Sequence, residues 1–547
     1  MTNNENLSKS YISDITVYKI NNSNDWDNMK KDIIHKDSGY SFFGNKVEDI
    51  FDRLNCLFNC QEYLKLSNNK YTVVYEPYYI DKVYRDEFYE FYSRRHFVMP
   101  SYTRRFTFIQ GEYSYNKLLE CENRKEIEEN IYGFAVLKPT KTFGRIIINA
   151  NKVLAGNNYV MTTKFKTTVM GHKYTIDAFP LSDQDIELMT CAETNIWMIM
   201  EYYGNRYEHY KTLLPSEMLQ IVKRNAYNRV LPSEGLDVEQ QSKIFLNNGM
   251  TPVVYEKDVY NEFMVNRFKY RYYDKLTFNK ILHFYVESHI PVLVNLRNKD
   301  RTKFHCITCI GHSEVNYSYG VDRYIKRKYN KLKGIKLKGI KLKGIKLKGI
   351  KLNCTMKYIN SYIFMADNAE PYFQQKNLNR FITDDSKFVI DSMVVPLYKH
   401  IFMSAEIAFN VAFSKLNSLA DVFDELYKDK KIIYRLFLTS SRSYKDFRIK
   451  TAKNFVEKFY YNEMNLPRFV WVFETSTIEK LNNKKVITEF VIDATSAALD
   501  ITLSLVSVRL GSIAQYRGPL ESEEKFTEIS NSDLSDDFEL FDTNMNK

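Results

Sequence analysis

Residues 304–312 read FHCITCIGH and place two histidines and two cysteines within nine positions. The segment is apolar and β-branched and follows the strand-like run PVLVNLR, so its pattern predicts a β-strand. Side chains alternate between the faces of a strand, which puts Cys306 and Cys309 on opposite faces. The four candidate ligands cannot then converge on one tetrahedral zinc ion. The pattern therefore favours a strand with His305 at its start and His312 at its far end, and disfavours a metal site.

Another cysteine, Cys191, lies in the segment QDIELMTCAETNIWMIMEYYG. The apolar spacing after it predicts a helix over about 190–203 that ends at Gly204. A thiol at a helix N-terminus is exposed to the helix dipole and to unpaired N–H groups, and both favour the thiolate. The position is therefore suited to a nucleophile, and a buried, inert cysteine is the alternative.

These segments occur in the order Cys191 on a helix, His305 at a strand start, and Asp367 in FMADNAEPY. This order resembles the papain-like cysteine peptidase superfamily, and in particular a bacterial branch similar to bacteriocin-leader peptidases. PVLVNL followed by HCITCIGH is similar to the proline-apolar strand and histidine strand of that branch. MADNAEPY is similar to the strand end that carries the acid. The resemblance covers roughly residues 165–395.

The resemblance implies that Cys191 is the nucleophile, that His305 is the general base and acid, and that Asp367 orients His305. It also implies that Gln184 and the Cys191 backbone N–H form the oxyanion hole. Asn368 remains an alternative to Asp367.

Gln184 precedes Cys191 by seven residues, a slightly longer spacing than usual, so Asp185 or a local bulge complicates the assignment of the oxyanion residue. The implied reaction is thiol-mediated acyl transfer, most simply hydrolysis of a peptide or isopeptide bond in a peptide or protein substrate, without cofactor or metal. One alternative is a catalytically silent papain-like module used for binding. The other is an acyltransferase or transglutaminase-type enzyme in which an amine replaces water on the same triad.

The expected fold class is α/β, more narrowly α+β, with a helical cysteine lobe and an antiparallel histidine lobe. Alternation on both sides of Gly171 in TTKFKTTVMGHKYTIDAFPL predicts a hairpin that turns at residues 171–172. Four regions are predicted: an N-terminal α/β region (1–160), a papain-like core (161–395), a mixed α/β C-terminal domain (396–520) and a disordered acidic tail (521–547).

Within the core, residues 331–352 repeat the unit KLKGI and contain nine lysines and no acid. A five-residue period suits neither helix nor strand, so the segment reads as a low-complexity insertion in a surface loop between His305 and Asp367. A patch that binds a membrane surface or nucleic acid is the alternative.

Composition limits the remaining possibilities. The chain has 547 residues, 15% of them aromatic, which excludes a disordered protein. The sequence shows no signal peptide and no transmembrane run. The seven cysteines are scattered, which argues against a disulfide framework. Together these features predict a cytoplasmic protein. The abundance of Tyr, Asn, Lys and Ile is typical of an AT-rich, bacterial genome. The net charge of +11 comes largely from the lysine repeat, so there is no strong nucleic-acid signal.

Overall fold

The computed structural model describes most of the chain. The described residues are 14–36, 47–59, 69–96, 98–185, 187–224, 233, 235–259, 271–317, 350–383, 386–427, 430–496, 504–517, 527–530 and 534–542. Within them the fold is mixed α/β with mainly antiparallel sheets, as predicted for the α+β class. Three large sheets follow one another along the chain.

The first sheet belongs to the N-terminal region. The strands of this region are β1 (Thr16–Ile20), β2 (Tyr71–Tyr79), β3 (Thr103–Gln110), β4 (Ile131–Leu137), β5 (Phe143–Ile148), β6 (Asn158–Val160), β7 (Thr163–Val169), β8 (His172–Ala178) and β9 (Pro180–Leu181). Its helices are α1 (Ser23–Lys36), α2 (Val47–Phe58), α3 (Lys82–Glu90), α4 (Tyr115–Leu119), α5 (Arg124–Asn130) and α6 (Ala150–Val153). The sheet order is β1-β2-β3-β4-β5-β9, all antiparallel.

Both faces of this sheet are buried. Phe106 and Phe108 pack on one face with α1 and α2, whereas Ile109 lies on the other face with the β7–β8 hairpin. The predicted hairpin is confirmed, and its turn lies at residues 170–171, one position earlier than expected. The hairpin packs on the N-terminal sheet, although its residues lie within the range 161–395 that was assigned to the core.

The second sheet carries the histidine strand. The elements of this region are α7 (Cys191–Arg206), α8 (Pro215–Lys223), α9 (Val238–Asn247), β10 (Met250–Glu256), β11 (Tyr272–Tyr273), α10 (Phe278–Glu287), β12 (Val292–Asn298), β13 (Phe304–Ser313), β14 (Ile350–Lys351), β15 (Asn353–Cys354), β16 (Tyr362–Met365), β17 (Phe373–Gln375), β18 (Phe381–Thr383) and β19 (Ser386–Tyr398). The order is β10-β19-β12-β13-β16-β17, and FHCITCIGH forms β13 as predicted. Gly311 lets β6 cross close to β13, since a Cβ there would lie 2.1 Å from the Tyr159 carbonyl oxygen.

The predicted helix after Cys191 is confirmed as α7, but it does not end at Gly204. It continues to Arg206, and Gly204 serves another purpose. A Cβ at Gly204 would lie 2.5 Å from the Thr212 backbone nitrogen, so the missing side chain lets the following segment pack directly on the helix.

The third sheet forms the C-terminal region. Its elements are α11 (Ala405–Ser418), α12 (Ala420–Tyr427), β20 (Ile432–Ser440), α13 (Ser441–Thr451), α14 (Phe455–Glu463), β21 (Phe469–Thr477), α15 (Ile478–Asn482), β22 (Lys485–Val486), β23 (Thr488–Asp493), β24 (Leu505–Leu510), β25 (Ile513–Tyr516), β26 (Thr527–Ser530) and β27 (Phe538–Glu539). Its order is β15-β20-β21-β23-β24-β25-β26, with β15 contributed by the preceding region. The predicted boundary at 395/396 falls inside β19.

The prediction of a disordered tail over 521–547 is wrong for its described parts. Residues 527–530 and 538–539 form β26 and β27, and Phe541 is fully buried. The acidic composition of the tail led to the prediction of disorder, although apolar side chains such as Phe538 and Phe541 are buried in the fold. Among the described residues, no helix is long and apolar enough to cross a membrane.

Most of the lysine repeat, residues 331–349, lies outside the described residues. The repeat lies in the connection between the antiparallel neighbours β13 and β16, and its assignment to a surface loop stays a prediction. The end predicted at residue 352 is too late. Residues 350–351 form β14 beside β11, and Leu352 is fully buried.

Deletion of residues 331–349 should leave the melting temperature nearly unchanged, because the entropy of loop closure depends only weakly on loop length. Thermal unfolding of the deletion variant and of the full chain measures this. A melting temperature lower by more than about 8 °C would contradict the surface-loop interpretation, since in large domains about 1 kcal/mol corresponds to about 2–4 °C. Deletion of residues 331–352 is the matched control, and it should be destabilising because it removes the buried Leu352.

Candidate active site

The chain enters α7 through a loop that Asp185 holds in shape. One oxygen of the Asp185 carboxylate accepts hydrogen bonds from the backbone N–H groups of Glu187, Leu188 and Met189 at 3.1, 2.9 and 2.8 Å. The other oxygen lies 3.6 Å from the Lys138 ammonium group. Asp185 is therefore occupied as a structural acceptor, which removes it as the alternative to Gln184.

Gln184 is half-buried at the start of this loop. Within the described part of the chain, no hydrogen bond engages its side-chain amide. An amide N–H is the type of donor that an oxyanion hole requires. The role of Gln184 in an oxyanion hole stays a prediction.

Cys191 is the first residue of α7, after Thr190 in extended conformation. Asn195, one turn later, ties the helix to the histidine strand: its amide nitrogen donates to the carbonyl oxygens of Cys191 and Cys306 at 2.8 and 2.9 Å. Its amide oxygen accepts from the Thr308 hydroxyl at 2.7 Å. All the polar atoms of this fully buried amide point at the junction between helix and strand. The sequence contains a signal for Asn195, since it lies one turn after Cys191 and directly before the apolar run IWMIM, but the sequence interpretation missed it.

The edge of β13 is open where α7 meets it. β16 pairs with β13 only from Thr308 onward, so Cys306 faces α7 on one side and Asn295 of β12 on the other. The backbone at Cys306 is close enough to the Cys191 thiol to lower its pKa. The nucleophile candidate therefore lies beside the residue that follows His305.

His305 and Asp367 meet from different strands. Asp367 follows the end of β16, and its carboxylate oxygen lies 3.9 Å from Nε2 of His305. This distance is an ion-pair contact and exceeds hydrogen-bond range. The Asp367 side chain is 1% exposed, and neither of its oxygens has a hydrogen-bond partner among the described residues.

Between Asp367 and Asn368, the geometry favours Asp367 as the acid. Asn368 is exposed and has a positive φ of 59°, a left-handed conformation that Asn tolerates and that turns the chain. Asp367 is buried and lies beside His305.

The electrostatics differ from the sequence-based expectation of a thiolate. Burial, followed by the charges of Asp367 and Glu193, raises the pKa of Cys191 to about 12, and hydrogen bonds from the backbone at Cys306 and Ala192 offset only part of this rise. Burial also raises the pKa of Asp367 to about 7 and raises the pKa of Glu193. The prediction that the helix N-terminus would favour a thiolate is therefore wrong for this state, in which Cys191 is a neutral thiol.

His312, at the far end of FHCITCIGH, lies in a different environment from His305. His312 is 1% exposed, and its Nε2 lies 3.3 Å from Glu287 of α10. Seven residues of strand separate it from His305, which corresponds to about 23 Å at about 3.3 Å per residue. The two histidines therefore cannot share one ion. Among the residues that the structure describes, no group of three or more His, Cys, Asp and Glu side chains could hold a metal.

A scan of the chain against models of known protein families finds no match. A search of curated proteins also finds no significant relative.

Replacement of Asn195 by leucine should lower the free energy of unfolding by about 2–4 kcal/mol, because two buried carbonyls and one hydroxyl lose their partner. Denaturant unfolding measures this. Asn205→Ala is the matched control: Asn205 lies on the same helix and donates to the Glu201 carbonyl, but it is not fully buried and does not reach β13. Equal losses in the two variants would show that Asn195 does not act as a tie between helix and strand.

Replacement of Asp367 by asparagine should stabilise the protein at alkaline pH. The folded-state pKa of about 7 lies above the ordinary value of 3.8, so stability falls as the pH rises from about 4 to about 7, and the full cost applies above that window. Asparagine removes this cost, which we expect to be about 1–3 kcal/mol at pH 8 and close to zero at pH 4. Melting temperatures at both pH values measure it, with the exposed Asp300→Asn as control. A lower melting temperature of Asp367→Asn at pH 8 would contradict the proposed burial cost.

Proposed function

We propose that the chain is a papain-like thiol enzyme that transfers acyl groups, most simply by hydrolysing a peptide or isopeptide bond. The observation that carries the proposal is that Asp367 lies 3.9 Å from His305 and is also close enough to Cys191 for its charge to raise the pKa of the thiol. The three residues come from a helix start, a strand start and a strand end that are distant in sequence. A buried acid without a hydrogen-bond partner has an energetic cost, and such costs cluster at functional sites.

The raised pKa of Cys191 indicates general-base catalysis rather than a preformed thiolate–imidazolium pair. His305 takes the thiol proton as the sulfur of Cys191 attacks the substrate carbonyl carbon. The carbonyl oxygen becomes an oxyanion, which the backbone N–H of Cys191 and the Gln184 amide stabilise. His305 then donates the proton to the leaving amine as the C–N bond breaks, leaving a thioester on Cys191.

Hydrolysis of this thioester uses the same groups in reverse. His305 takes a proton from water as the water oxygen attacks the thioester carbon. The C–S bond then breaks, the carboxylic acid product leaves, and His305 returns the proton to the Cys191 sulfur. Asp367 lies 3.9 Å from His305 in the resting state, and closure of this gap would orient the ring and stabilise its cationic form. Catalytic hydrogen bonds commonly tighten only when substrate binds. An amine in place of water would make the same site an acyltransferase.

A second candidate function, a catalytically silent binding module, is favoured by two specific observations. The pKa of Cys191 is raised and not lowered, and His305 and Asp367 are not hydrogen-bonded. Both features are expected of a papain-like fold that retains the three candidate residues but does not catalyse acyl transfer.

The enzyme should show Cys191-dependent turnover of p-nitrophenyl acetate at pH 7–8, and Cys191→Ala and His305→Ala should each abolish it. Iodoacetamide labelling of Cys191, followed by peptide mass spectrometry, should be slow at pH 7 and rise about tenfold per pH unit towards pH 9, because the thiol is neutral below its pKa of about 12. Ester turnover needs only the general base, so it should be present at pH values where alkylation is slow.

Two variants serve as controls. Cys121→Ser removes another half-exposed cysteine and should retain full turnover. His312→Gln keeps a donor for Glu287 and should also retain turnover, which separates the two histidines of FHCITCIGH. Ester hydrolysis that survives Cys191→Ala, or is absent from the unmodified chain, would support the silent module instead.

A further inference from the structure

Arg53 is a partly buried arginine on α2, in the N-terminal region and outside the predicted core. Its Nε and Nη2 donate to the two carboxylate oxygens of Asp183 at 3.2 and 2.6 Å. Its Nη1 donates to the carbonyl oxygen of Ala369 at 2.7 Å. The Arg53 side chain is 14% exposed and that of Asp183 is 5% exposed, so water competes little with these bonds.

The two partners of Arg53 belong to the two loops of the candidate site. Asp183 directly precedes Gln184, and Ala369 follows Asp367 by two residues. One guanidinium therefore connects the loop that presents the oxyanion donor to the loop that presents the acid. The planar fork of arginine satisfies a carboxylate with two parallel bonds and leaves Nη1 for the carbonyl, which a lysine ammonium cannot reproduce.

The N-terminal sheet supports the first of these loops at further points. The Asp183 backbone N–H donates to the Phe143 carbonyl at 2.8 Å, and β9 pairs with β5 just before the loop. The Lys138 ammonium lies near Asp185, as described above. Arg53 adds the connection to the Asp367 loop, more than 180 residues further along the chain.

We propose that Arg53 is a positioning residue for the reaction, which keeps the Gln184 loop and the Asp367 loop in a fixed relation. The inference rests on the proposed function, because positioning matters only if Cys191 acts on a carbonyl. Arg53 acts through Asp183 and Ala369. The N-terminal region is accordingly part of the catalytic apparatus and not a separate attachment.

The test compares the full-length chain with Arg53→Met, Arg53→Lys and Arg145→Met. Arg145 is the matched control, since it also joins the N-terminal sheet to the central region by an arginine–carboxylate pair, 3.2 Å from Glu201 on α7, but contacts neither loop. Three quantities are measured on each variant: amide hydrogen exchange in residues 183–190 and 367–371, the rate of Cys191 alkylation, and Cys191-dependent turnover of p-nitrophenyl acetate.

Arg53→Met should accelerate exchange in both segments and lower ester turnover by about 10- to 100-fold, since a displacement of about 1 Å can have such an effect. It should leave alkylation within about threefold, because the thiol itself stays on α7 beside Cys306. Arg53→Lys should restore only part of the turnover, and Arg145→Met should change neither loop exchange nor turnover. A purely structural role for Arg53 would give Arg53→Met and Arg145→Met the same turnover.

The outcomes separate this inference from the proposed function. Unchanged exchange in the two segments of Arg53→Met overturns the positioning role whatever the activity is. Accelerated exchange with undiminished turnover overturns it as well, because the connection would then not serve the reaction. Accelerated exchange in a chain that shows no Cys191-dependent turnover at all would refute the proposed function, and it would reduce Arg53 to a structural tie.

Discussion

The open edge of β13 at Cys306 is the constraint on which the candidate site depends. A strand edge presents N–H and C=O groups that must be satisfied when buried. β16 would satisfy them if it continued alongside, but it pairs only from Thr308 onward. The N-terminus of α7 lies at this edge instead, with the Cys191 sulfur near the backbone at Cys306. The Asn195 amide donates a hydrogen bond to the Cys306 carbonyl and accepts one from the Thr308 hydroxyl. The same divergence of β16 leaves its end free to carry Asp367 towards His305. One local departure from regular pairing thus makes room for the nucleophile candidate and supplies the acid.

The magnitudes explain why Cys191 is a neutral thiol despite its position on α7. A helix N-terminus stabilises a negative charge by about 0.3–1 kcal/mol, and by up to about 2 kcal/mol in partly buried sites. The pKa of Cys191 rises from 9.0 to about 12, which corresponds to about 4 kcal/mol against the thiolate. Burial and the neighbouring carboxylates of Asp367 and Glu193 therefore outweigh the dipole. The proposed reaction then needs a proton acceptor when the sulfur attacks, and His305 is the candidate because it precedes Cys306 and lies beside Asp367.

The sequence was sufficient for the features that depend on local pattern. Alternation and periodicity predicted β13, the β7–β8 hairpin and α7, because each is determined by which neighbouring side chains are apolar. The sequence could not show that Asp185 is consumed by three backbone N–H groups, or that burial reverses the expected shift of the Cys191 pKa, because both depend on residues that only the fold brings near. The same reason applies to Arg53, whose partners are 130 and 316 residues away along the chain. The acidic tail was misjudged because composition was weighed above its few apolar anchors, such as Phe541.

The two histidines of β13 have separate structural surroundings, and the far one connects the strand to the C-terminal region. Beyond His312, buried charges of alternating sign run from Glu287 through Arg435, Glu474 and Arg448 to Glu489. Burial raises the pKa of Glu287, but Arg435, which lies 2.7 Å away, opposes this rise, and the pKa is lowered overall. On the same helix, burial lowers the pKa of His283 to about 3 and keeps that ring neutral.

Buried ion pairs add little net stability, yet the loss of one partner costs about 3–5 kcal/mol. A different docking of the two sheets would separate some of these charge pairs, so this row of charges disfavours it. The chain of charges therefore constrains the far end of β13 from the C-terminal side. The near end is held by Asn195, and the loops around it are tied to the N-terminal sheet. β13 therefore carries His305 at one end and is held along its length by three regions. If the proposed function is correct, this support keeps the candidate base in place while Asp367 lies 3.9 Å away.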